Sequence, residues 1–151
     1  QAKAAGVACT ATVVDTDREA LIDPQRMVQA LGNLADNAIN ACGAGPNPRI
    51  DLTLTVGAAD WSVTVADNGP GVPEADLPFV FDRFFRVQRD RGRESGGVGL
   101  GLSIVRSIAE AHGGAASLDR AAAGGAVARL TLPYSPPRTP PQIPDNSGKA
   151  A

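Results

Sequence analysis

Apolar and polar positions change period several times along this chain, and each change marks an element. Loose alternation from Val7 to Val14 predicts a first strand. Asp23-Pro24 reads as a helix start, with Asp23 as N-cap and Pro24 in the first helical position. Helical spacing carries that element to about Cys42, where GAGPNP breaks it. RIDLTLTV (49–56) and WSVTVA (61–66) are strand-like, and GAAD between them predicts a hairpin. PEADLPFVFDRFF reads as a short helix, followed from about Val87 to Val98 by a charged, glycine-bearing stretch with the character of a mobile lid. Leu100 to His112 is helical again and stops at Gly113-Gly114. Two strands, about 115–119 and 126–132, complete the pattern. The order β, α, β, β, α, lid, α, β, β implies an α/β sandwich, a mixed β-sheet with about three helices on one face. Residues 1–134 form the expected domain, packed from about residue 5, and the Pro-rich segment 135–151 reads as a disordered tail.

The first long helix poses a puzzle, because GNLADNAINA places three asparagines in an otherwise apolar run. Asparagine amides compete with the helix for backbone hydrogen bonds. At about 100° per residue, Asn33, Asn37 and Asn40 fall within an arc of about 60°, with Asp36 beside them. Met27, Leu31, Leu34, Ala38 and Cys42 lie opposite, flanked by Val28, Ala35 and Ile39. The stripe is either a solvated face or a polar lining. Glu, Lys and Gln serve a solvated face better than Asn, whereas amide oxygens can ligate a hard cation such as Mg²⁺ beside phosphates and water.

Two glycine clusters and a basic segment add chemistry. DNGPG (67–71) follows an apolar strand, either as a turn capped by Asp67 or as a carboxylate set to accept a hydrogen bond from an exocyclic amine. GGVGLGLSIV (96–105) brings glycines into a helix N-terminus, either as a hinge or as a phosphate site made of backbone N–H groups. It fits neither the dinucleotide fingerprint nor the P-loop. In FVFDRFFRVQRDRGRE, Arg83 and Arg86 flank a Phe pair. That segment is a charged loop or a source of guanidinium groups for phosphate, anchored by Phe81, Phe84 and Phe85.

Composition narrows the classes. The chain has 151 residues, 43% hydrophobic and 20% charged, with formal net charge -2. That balance argues against nucleic acid as a partner. Cys9 and Cys42, with one histidine, His112, make neither a zinc spacing nor a disulfide framework, which suits a reducing cytoplasm. No apolar run approaches the roughly 20 residues of a bilayer span, so direct membrane contact is not expected. No signal-peptide pattern opens the chain, and it starts without Met, as a fragment of something longer would.

Taken in order, NLADNA resembles the N box, DNGPG the G1 box, FDRFFR the F box and GGVGLGL the G2 box of sensor histidine kinases. These belong to a wider ATPase superfamily that includes type II topoisomerases and mismatch-repair ATPases. The resemblance implies the Bergerat fold with a mobile ATP lid, and ATP and Mg²⁺ as ligands. By position it implies Asn37 as the Mg²⁺ ligand, Asn33 as a polar contact near the phosphates and Asp67 as the adenine acceptor, with Gly69 and Gly71 shaping that pocket. Gly97, Gly99, Leu100, Gly101 and Leu102 would offer backbone donors to the phosphates, and Arg83 and Arg86 would act near the terminal ones. Many members carry Lys where this chain has Asn40, which shifts charge neutralisation toward Mg²⁺ and the lid arginines.

The resemblance leaves three activities to separate: phosphoryl transfer to a histidine, ATP hydrolysis, and nucleotide binding alone. The hydrolytic relatives place Glu where this chain has Asn33, and an amide cannot accept a proton from water at neutral pH. A neutral imidazole nucleophile needs mainly positioning and charge stabilisation. His112, in AHGG, reads as a helix cap rather than an exposed acceptor. The implied protein is the catalytic part of a histidine kinase, with a Bergerat-type ATPase or an anti-sigma-factor-type protein kinase as the alternative. Its implied partners are an upstream dimerisation domain bearing the acceptor histidine and a downstream response regulator. The full-length kinase would be a homodimer anchored in a bacterial membrane, with this domain in the cytoplasm.

Overall fold

A computed structural model describes residues 2, 5–14, 18–42, 46–87, 98–122 and 124–135. Its elements are β1 (Ala8–Val13), α1 (Pro24–Cys42), β2 (Arg49–Val56), β3 (Asp60–Asp67), a 3₁₀ helix (Glu74–Phe79), α2 (Gly101–Ala111), β4 (Ala115–Arg120) and β5 (Ala126–Pro133). The five strands form one mixed sheet in the order β1-β2-β3-β5-β4. β1 runs parallel to β2, and the other pairings are antiparallel.

The helices form where local chemistry closes their ends. Asp23 Oδ1 accepts the backbone N–H groups of Gln25 and Arg26, at 3.0 and 3.1 Å, so the predicted N-cap is in place. α2 ends in a Schellman turn: Gly114 N–H reaches Ala109 C=O and Gly113 N–H reaches Glu110 C=O, both at 2.9 Å. The second of the three expected helices differs. It is a six-residue 3₁₀ helix containing Pro78, whose missing N–H and bulky ring oppose an α-helical turn.

Both α-helices cover one face of the sheet. Alternate residues of β3 (Trp61, Val63, Val65, Asp67) and β5 (Ala126, Ala128, Leu130, Leu132) point into that layer and are buried. Met27, Ala30, Leu34, Ala38 and Cys42 meet them from α1, and Val105, Ile108 and Ala109 from α2. Val28, expected beside the apolar stripe, is instead 72% exposed, because its position on the helix turns it past the sheet. Among the described residues, no helix is long and apolar enough to cross a membrane. The expected lid loop falls mostly on 88–97, and the expected tail almost wholly on 136–151; both lie outside the described residues.

Candidate functional site

Asp67 is the last residue of β3 and continues the inward alternation of that strand, so its carboxylate ends up buried. Oδ1 accepts the backbone N–H of Gly69 at 2.8 Å and of Ala126 at 3.3 Å. Burial pushes the carboxyl above its ordinary pKa, more than those two N–H groups pull it down. Cys42, buried at the end of α1, has its thiol pushed up by burial and then by the nearby Asp67 charge. The chain packs tightly here. A Cβ on Gly69 would lie 2.8 Å from the Ala41 carbonyl oxygen and 2.9 Å from Asp67 Oδ1, so only glycine fits. Gly71 lies against the carbonyl of Gly125.

The asparagine stripe separates into unlike members. Asn37 and Asn40 are exposed, while Asn33 is half-buried. The Nδ2 amide of Asn33 is buried and has no hydrogen-bond partner among the described residues. The Asn33 side chain lies beside the first turn of α2, where a Cβ on Gly101 would sit 3.8 Å from its Cβ and its Oδ1. The opening of α2 carries no side-chain cap, its N-cap being Leu100. Its first backbone N–H groups therefore remain available as donors. An orphan amide donor and an uncapped helix N-terminus thus meet at one place. Both ask for an anionic acceptor. Leu102 packs against the core by its side chain, so any role toward a ligand falls to its backbone.

The FDRFFR segment closes this end. Phe81 is buried, and Arg106 of α2 stacks over its ring at 4.6 Å. Phe85 packs against the core and, with Phe79, forms a tilted ring pair 6.1 Å apart. Phe84, expected to anchor through its ring, is 67% exposed. It anchors through its backbone instead, at φ 65°, donating its N–H to Gly99 C=O at 2.9 Å. Gly99, at φ 78°, has no room for a side chain beside the Phe84 backbone. Arg83 is exposed and Arg86 half-exposed. Gly97 lies outside the described residues.

The structure therefore gathers Asn33, Gly101 and the start of α2 at one end, with Asp67, Gly69 and Gly71 around the end of β3. Two contributors escaped the sequence reading. Ala126 donates to Asp67 from 59 residues away, and only the Gly-Gly pair before it hints at a close backbone approach. Arg26, on the same stripe as Asn33 two turns earlier, lines a cleft of about 440 Å³ with Arg83, Phe84, Leu100 and Ile104.

With this geometry in view, the class is defined. Residues 22–136 match the family described as histidine kinase-, DNA gyrase B- and HSP90-like ATPase, and the chain belongs to that family. It is 42% identical over 129 residues to the signal transduction histidine-protein kinase AfsQ2 of Streptomyces coelicolor, covering 82% of this chain and 23% of that protein. It is similar to the catalytic domain of histidine kinase ThkA (TM-score 0.75, 29% identity, 89% of this chain and 85% of that one). It is also similar to ThkA solved in complex with the response regulator protein TrrA (TM-score 0.72, 27% identity, 91% of this chain and 37% of that one). The fold is that of histidine kinase catalytic domains, and the domain is of the ATP-binding type. The chain spans about a quarter of the length of AfsQ2.

Proposed function

We propose that residues 1–134 are the ATP-binding catalytic domain of a sensor histidine kinase. It binds Mg·ATP and directs the γ-phosphoryl group to a histidine on a dimerisation domain outside this chain, from which a response regulator is then phosphorylated. The whole kinase would be a membrane-anchored homodimer, with 135–151 as a flexible tail. The observation that carries this reading is the Asn33 amide, buried without a partner against the uncapped start of α2. A neutral donor there suits a phosphate oxygen, and it is not a base that could activate water.

The remaining roles follow from chemistry. Asp67 keeps one oxygen on backbone N–H groups and turns the other to the adenine amine, while Gly69 lets the base lie close. Backbone N–H groups from Gly97 to Leu102 hold phosphate oxygens, and Arg83 and Arg86 stabilise charge at the terminal phosphates. Among the described residues, no cluster of His, Cys, Asp or Glu could hold a metal. The donor set therefore fits a cation that takes most of its ligands from phosphate and water, with the Asn37 amide oxygen as the protein ligand. When bound, Mg²⁺ would neutralise phosphate charge, which the exposed Asn40 cannot do. Incubation with γ-labelled ATP, with and without the dimerisation domain, tests the reading. Label should move to histidine only when both are present. Rapid phosphate release by this domain alone would place it with the hydrolases instead.

A further inference from the structure

Arg26 occupies a position that local helix chemistry assigns to another kind of residue. Asp23 is the N-cap of α1 and Pro24 the first helical residue, so Arg26 is the third. That position ordinarily favours an acid, although the Asp23 N–H that a capping box would use already donates to His112 Nε2 at 3.0 Å. The helix dipole also disfavours a cation in the first turn, and the first turn of α1 holds no acid. The partial compensation is an ion pair of Arg26 Nε with Asp23 Oδ2 at 3.6 Å, with side chains 58% and 48% exposed. Exposed pairs of this kind contribute little. A residue that breaks a local rule without structural gain marks a functional demand.

The surroundings show what that demand is. Arg26 and Arg83 line the cleft of about 440 Å³, whose apolar lining comes from Leu100, the N-cap of α2, from Ile104 and Ile108 of α2, and from exposed Phe84. The hydroxyls of Ser103 and Ser107 in the lining donate to helix carbonyls, at 2.9 and 3.0 Å. The cleft thus presents an apolar floor and two guanidinium groups. It adjoins the first turn of α2, beside which the Asn33 side chain lies.

We infer that Arg26 is a positioning residue for phosphoryl transfer. It binds a carboxylate on the helix that bears the acceptor histidine, while the apolar face of that helix lies on Leu100, Ile104 and Ile108. Charge complementarity selects this occupant, since a cleft with two arginines over an apolar floor fits an acidic amphipathic helix. This inference rests on the kinase reading above.

The test uses the full-length kinase with Arg26→Glu and Arg26→Gln, beside the same changes in this domain. Autophosphorylation at saturating Mg·ATP should fall at least tenfold in Arg26→Glu. The affinity of the domain for a fluorescent ATP analogue should stay within twofold of wild type. Thermal stability of Arg26→Gln should be equal to wild type or slightly higher, because a cation leaves the first turn of α1 and only an exposed ion pair is lost with it. Changing acidic residues of the acceptor helix to Arg, one at a time, should recover transfer in Arg26→Glu at one position. Unchanged autophosphorylation, or an equal loss of nucleotide affinity, would overturn the inference and leave the kinase reading standing. A wild-type kinase that binds ATP but never labels its histidine would remove both.

Discussion

His112, at the C-terminal end of α2, accepts the backbone N–H of Asp23, the N-cap of α1, at 3.0 Å through Nε2. Its Nδ1–H donates to Ile108 C=O at 2.8 Å, which sets a single neutral tautomer. The ring joins the end of one core helix to the start of the other, and it is buried. His112→Phe should therefore cost about 1–3 kcal/mol, because the part-buried Asp23 N–H loses its partner and the Ile108 C=O keeps only the His112 backbone N–H. Urea unfolding should show the lower midpoint with an unchanged m-value. Phosphorylation of the full-length kinase should persist in this variant. Its loss without a loss of nucleotide binding would make His112 an acceptor and contradict its place in the fold.

Asp67→Asn tests the adenine contact without removing the local scaffold. The new amide oxygen can still accept from Gly69 and Ala126, while the amide NH₂ takes the place of the oxygen proposed to accept the adenine amine. A hydrogen bond to a charged group is worth about 1.5–3 kcal/mol, so affinity for a fluorescent ATP analogue should fall roughly 10- to 150-fold. Equal affinities would remove Asp67 from the site.

Much of this arrangement was legible in the sequence because it is local. The period of 3.6 in α1, the period of 2 in β2 and β3, the Asp23-Pro24 start and the Gly113-Gly114 stop all act within a few residues. The order of the four boxes then pointed to the fold. What was not legible depends on distant chain segments. Nothing near Asp67 announces that Ala126 will donate to it, nor does anything near His112 announce Asp23. The apolar character of Phe84 suggested an anchoring ring, but its left-handed backbone turns that ring outward. Asn33, Asn37 and Asn40 looked alike as a stripe. Only the packing of α2 beside Asn33 distinguishes its buried amide from the two exposed ones.

The raised pKa of Asp67 sets a pH dependence with a definite sign. Burial favours its protonated form in the folded state, so the folded pKa lies above the unfolded one. The stabilising contribution is then fully present below about pH 3.9 and is lost as pH rises through the folded value. Without nucleotide, Asp67→Asn should be more stable than wild type at pH 7, and the gap should shrink toward pH 4. Thermal melts of both proteins from pH 4 to 8 would show this directly. A gap that grows on acidification would mean that the backbone N–H groups, rather than burial, dominate.

Gly69→Ala should damage the same pocket by steric means. The added methyl would lie 2.8 Å from the Ala41 carbonyl oxygen and 2.9 Å from Asp67 Oδ1, so either α1 or the carboxylate must move. Overpacking of this kind costs about 1–3 kcal/mol. Nucleotide affinity should drop together with the melting temperature, unlike in Asp67→Asn, where affinity falls while the unliganded protein gains stability. A Gly69→Ala protein with wild-type affinity and melting temperature would show that the backbone yields here.

Asn33 should display the same opposition between stability and function on the phosphate side. Its buried Nδ2 has no partner among the described residues, and leaving a buried donor unsatisfied costs about 1–3 kcal/mol. Asn33→Leu replaces that amide with an apolar group of similar size beside the first turn of α2. The unliganded domain should therefore be as stable as wild type or more so. Phosphoryl transfer in the full-length kinase should fall roughly 100-fold or more, since loss of one preorganised donor at a charged reaction centre costs about 2.7–4 kcal/mol. Calorimetry of the domain and labelling of the kinase measure the two effects separately. A destabilised variant would show that water satisfies the amide in solution, and unimpaired transfer would move the phosphate contact away from Asn33.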